Sequence, residues 1–156
     1  MKHTIQSLTL LLIFGLLIVT DGAAQRNSNI GRYTIETECL GVEMDGSVTL
    51  RAWGTGRNRF DAVDQAKKNA VHGVIFKGFG GISGVPGQHP LTDNPNLEIE
   101  QAEFFRNFFA NGGKYMKFVN VTNDGSVAAE DRLKVGKEYK IGVVVSVNVA
   151  GLRKDL

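Results

Sequence analysis

The stretch "YKIGVVVSVNVAGL" most limits what this chain can build. Tyr139, Ile141, Val143, Val145, Val147 and Val149 alternate with Lys140, Gly142, Val144, Ser146 and Asn148. A period of two is that of a β-strand, and one fully apolar face beside one mixed face is that of a strand covered by helices. A second pattern supplies a cover. In "RNRFDAVDQAKKNAVHGVIFKG", Ala62, Ala66, Ala70 and Val74 recur every four residues, joined by Val63, Val71 and Ile75. This predicts an amphipathic helix over about 58–76, with Asn58 as its cap and Asp64–Lys68 as a favourable i,i+4 pair. Its inner stripe is mostly alanine, so the helix axis can lie close on a sheet.

The other elements fall around these two. "RYTIETECLGVE" reads as a strand with Tyr33, Ile35, Thr37 and Cys39 on one face, and a phase shift at Leu40 and Val42 marks a bulge or the end of pairing. Asp45-Gly46 is a two-residue hairpin signal, and "VTLRAWG" returns with Val48, Leu50 and Ala52 facing one way. "NPNLEIEQAEFFRNFFANGG" predicts a second helix, with Asn94 at the cap, Pro95 in the first turn and Gly112 at the stop. "KYMKFVNV" (114–121) predicts a third strand, and "AAEDRLKVG" a longer loop or a further short strand. The expected fold is α+β: a mainly antiparallel sheet of about four strands, in the order ββααββ, with two helices packed on one face.

The N-terminus reads as an address. Lys2 and His3 precede an apolar run from Leu8 to Val19, and Gly22 and Ala24 are the small residues a signal peptidase reads. The run is shorter than the roughly 20 residues a spanning helix needs. Residues 1–24 are therefore expected to be a cleaved signal peptide, with no permanent membrane anchor afterwards, and 25–156 a single exported α+β domain. Export places it in the periplasm, on the cell envelope or outside the cell. Cys39 is the only cysteine, so no intramolecular disulfide can form. A net charge of +2 gives no nucleic-acid footprint.

Residues that could carry chemistry do not converge. "WGTG" lies between strand and helix, but the third glycine of a dinucleotide fingerprint would fall at Arg59. "GFGGISGV" lacks both the Gly-Lys-Ser/Thr of a phosphate loop and the last glycine of a nucleophile elbow, where Val85 stands. Once the leader is removed, His72 and His89 are the remaining histidines, too few for a zinc site without carboxylates. A Cys39–His72 pair has no local support. Glu36 and Glu38 on one strand face, and Arg51, Trp53, Arg57 and Arg59 beyond them, read as solvated faces. No catalytic, cofactor or metal residues are assigned.

What remains points to contact. The loop at 78–94 lies within a stretch that holds all three prolines and five of the nineteen glycines, and loops this long are usually functional or disordered. Phe104, Phe105, Phe108 and Phe109 form two i,i+4 pairs, which serve either as core or as an exposed interaction surface. The candidate partner-contact residues are Phe104, Phe108, Val85, His89, Leu91 and Trp53. The segment "VTLRAWGTGRNRFDAVDQAKKNAVHGVIFKG" resembles one in the N-terminal domain of flagellar assembly protein T and in related small envelope lipoproteins, through Gly54, Gly56, Ala62, Ala66, Ala70, Val71 and Gly78. That resemblance implies an envelope protein that works by assembly. The expectation is an exported, non-catalytic structural or interaction protein, one that binds another envelope protein or itself. The alternative is a small-ligand binder or hydrolase with its pocket under the 78–94 loop.

Overall fold

A computed structural model describes residues 36–81, 84, 86–122 and 126–156. The expected leader, Tyr33, Ile35 and Val85 lie outside the described residues. In chain order the elements are β1 (Thr37–Val42), β2 (Val48–Gly56), α1 (Arg59–Phe76), α2 (Leu97–Glu100), α3 (Ala102–Phe108), a 3-10 segment (Lys114–Phe118), β3 (Val119–Val121), β4 (Arg132–Val135), β5 (Glu138–Val147) and α4 (Val149–Asp155).

The strongly alternating stretch forms the centre of the sheet. β5 pairs antiparallel with β2 along its length, from Gly56↔Tyr139 to Val48↔Val147. Its other edge is shared: β4 takes the first half and β3 the second. β1 closes the far side against β2, with a register shift between Cys39 and Gly41 that confirms the bulge. The hairpin at Asp45-Gly46 also forms, but around the five-residue connection 43–47 rather than a two-residue turn. Gly46 takes φ 81°, and the Asp45 carboxylate accepts from the Ser47 amide at 2.8 Å.

One face of the sheet is dry. Leu50, Ala52, Ile141, Val143, Val145 and Val147 are buried against the Ala62, Ala66, Ala70, Val71 and Val74 side of α1. Asn58 caps α1, its side-chain oxygen accepting from the Asp61 amide at 2.9 Å. The helix approaches so closely that a Cβ on Gly54 would sit 2.2 Å from the Ala62 carbonyl oxygen, and one on Gly56 2.4 Å from the Ala62 nitrogen. The two glycines after β2's Trp53 and the first alanines of α1 therefore form one backbone-to-backbone contact.

The four-strand, two-helix arrangement is corrected. Among the described residues there are five strands and four α-helices. The expected second helix breaks at Gln101, whose φ of −112° and ψ of 39° leave helical backbone, so α2 and α3 are separate. "KYMKF" coils as a 3-10 segment rather than a strand. Tyr115 and Phe118 are buried three residues apart, the spacing that eclipses side chains on a three-fold turn. "RLKV" is the extra strand β4. The alternation past Val147 is cut short because Asn148 caps α4, accepting from the Gly151 amide at 2.7 Å. Val149 and Leu152 then enter the core from a helix.

Candidate functional site

The aromatic segment packs first. Phe105, Phe108, Phe109, Tyr115 and Phe118 are all buried in the core. Phe108, named as a contact candidate, is only 2% exposed and stacks with Phe104 (5.7 Å) and Phe118 (6.1 Å). Phe104 is half-buried and meets Phe105 edge-on at 5.0 Å. The α1 surface facing this segment is polar, which sequence reading missed beyond the Asp64–Lys68 pair. Lys68, 6% exposed in its side chain, lies 3.2 Å from Asp64 and donates to Asn111 Oδ1 at 2.7 Å. The Tyr115 hydroxyl donates to Asp64 at 2.6 Å. One turn on, His72 Nε2 lies 3.0 Å from Glu98 of α2, with the imidazole against Phe76 and Phe109. Burial lowers the His72 pKa, partly opposed by the Glu98 hydrogen bond and charge and assisted by Lys77. Asp64, Lys68 and His72 fall at i, i+4, i+8, and that ladder was the available signal.

His72 is not brought to Cys39. The Cys39 thiol donates to the Gly41 carbonyl on β1, while the imidazole is enclosed by α2 and the phenylalanines. Among the described residues, no group of three or more His, Cys, Asp or Glu could hold a metal ion.

The 78–94 loop is tied at its base. Phe79 and Gln88 exchange backbone hydrogen bonds at 3.0 Å each, and Leu91 and Thr92 donate to the Val74 and Ile75 carbonyls. Gly78, at φ 67°, admits the crossing, since a Cβ there would lie 2.2 Å from the Gln88 oxygen. Leu91 packs against the core, and His89 is exposed. Lys77, Phe79, Gln88 and His89 line an open groove, where the buried Gln88 amide nitrogen has no hydrogen-bond partner among the described residues.

The outer face of the sheet centres on Trp53, half-buried and opposite Gly142 of β5. A Cβ on Gly142 would lie 3.0 Å from the indole, so the missing side chain makes room for the ring. Around it stand paired charges. Lys140 lies 5.3 Å from the ring centroid and 2.6 Å from Glu36. Arg51 lies 3.4 Å from Glu38 and 3.8 Å from Asp131. The Trp53 backbone is pinned from both sides, its amide donating to Glu36 and its carbonyl accepting from Asn69 of α1. The arginines grouped with it in sequence disperse: Arg57 pairs with Asp61, and Arg59 lies over Tyr139.

No helix among the described residues is long and apolar enough to cross a membrane. No protein-family model matches the sequence, and no curated protein or solved structure matches it.

Proposed function

We propose that this chain is an exported cell-envelope protein that acts by binding another protein, without catalysis of its own. The observation that carries this reading is the outer sheet face. An aromatic side chain on a fixed backbone, ringed by charges that pair with one another, has the anatomy of a contact patch, with its anchor at the centre and its polar groups at the rim. The charges are neutralised in place, so covering them exposes no lone buried ion.

The test is photo-crosslinking in intact envelopes, with the photoreactive residue at position 53 and, as control, at Lys67 of α1, half-buried like Trp53. Discrete adducts at 53 that are absent at 67 are expected. Equal labelling at both positions, or none at 53, rejects the reading. A second reading, a small ligand in the groove beside Gln88 and His89, is favoured by the Gln88 side-chain amide nitrogen, which has no partner among the described residues. It predicts that a bound ligand raises the melting temperature of the protein but not of Gln88→Leu.

A further inference from the structure

The same sheet has a charged end that shares only Lys140 with the contact reading. β2 finishes, β5 begins and β4 finishes at this end, and α1 starts from it. The segments 57–61 and 132–140 bring Arg57, Arg59, Arg132, Lys134, Lys137 and Lys140 against Asp61 and Glu138, a local +4 where the whole chain carries +2. Arg57 and Lys140 have carboxylate partners. Arg59 and Lys134 instead flank the Tyr139 ring, at 5.9 and 5.8 Å from its centroid. Lys137 occupies the β4–β5 turn beside Gly136, which is at φ 62°.

Among the described residues, the same segments also carry exposed apolar side chains. Phe60, in the first turn of α1, is 87% exposed, Val135 60% and Leu133 47%. Basic residues interleaved with exposed aromatic and aliphatic ones suit the boundary of an anionic bilayer. The cations meet headgroup phosphates, and the apolar groups enter the acyl edge beneath them. A soluble polyanion would use the charge and leave Phe60, Leu133 and Val135 in water.

From this charge complementarity and the exposed apolar set, the geometry points to peripheral docking of this end on an anionic lipid surface. The test is co-sedimentation with vesicles of phosphatidylcholine alone and of phosphatidylcholine with phosphatidylglycerol. It uses the exported protein as purified from cells, its N-terminus read by mass spectrometry. Partitioning should require the anionic lipid and fall steeply as salt is raised from about 0.05 to about 0.5 M. The double variant Arg59→Glu/Lys134→Glu should bind roughly tenfold or more weakly, and Phe60→Ser several-fold more weakly at unchanged salt slope. Lys137→Glu provides a second charge reversal on a turn, and melting curves check that each variant is folded. No binding of the parent protein to anionic vesicles overturns the proposal, and so does equal binding by the charge-reversed variants. Competition by soluble polyphosphate, with Phe60→Ser unaffected, would assign the end to a free polyanion and overturn the lipid.

Discussion

α1 makes two contacts of opposite character. Toward β2 it presents Ala62 and Ala66 to Gly54 and Gly56, and the backbones meet with no side chain between them. Toward the 97–118 segment it presents Asp64, Lys68 and His72, and everything on that side is held through side chains. The first contact tolerates no added atom, because the groups it would strike are backbone. The second can re-form when one partner changes, but its strength depends on protonation. Close packing without side chains gives rigidity, and a buried polar seam gives specificity that solution conditions can loosen.

The sharpest break comes at the glycine contact. Gly54→Ala should destabilise the fold by about 3 kcal/mol, at the upper end of ordinary overpacking costs, because the helix must move away from the sheet. Urea denaturation measures this, and a loss under about 1 kcal/mol would mean that the helix can shift freely. On the seam the expected cost is smaller. Tyr115→Phe removes the hydroxyl that donates to Asp64 and should cost about 1–2 kcal/mol, while Lys68→Met, which removes the cation but keeps its stem, should cost less than Lys68→Ala.

The smallest effect is one of pH. Burial holds His72 below its ordinary value of about 6.5, so the unfolded chain takes up the proton more readily than the folded one. The contribution is therefore complete above about pH 6.5 and declines as pH falls below it. His72→Gln should flatten this part of the stability profile. An unchanged slope would place the titration elsewhere.

The same contrast explains what could be read from the sequence. The hairpin, the bulge and α1 were legible because each depends on local periodicity or turn chemistry: Asp45-Gly46, the slip at Leu40, the fourfold alanines. The strand Glu138–Val147 was legible for the same reason, but its end was not. Val149 keeps the alternation, and only the capping geometry of Asn148 shows that it belongs to a helix. The Phe-rich stretch misled because four phenylalanines and three glutamates satisfy one continuous helix, whereas burial of Phe105 and Phe108 and pairing of Glu98 with His72 are met by two helices broken at Gln101. Trp53 could be named as a contact candidate, but the space for its indole is set by Gly142, 89 positions away. No local pattern reports such a pairing. Lys68 looked like an ordinary helix-surface lysine, and its burial follows from Asn111 and Tyr115, which only the fold brings near.

The position of β5 has a consequence for how the chain matures. It is the strand that joins β2 to both β3 and β4, and it follows all of them in sequence. A growing polypeptide can close the β1–β2 hairpin early and lay α1 beside it. Those parts have no central strand to dock on until residue 147 has left the ribosome. During synthesis the apolar face of α1 is thus without the Ile141, Val143, Val145 and Val147 side chains of β5, and the sheet assembles in one late step. A protein built in this order cannot close its central sheet until residues 138–147 have been made, whatever has formed before them.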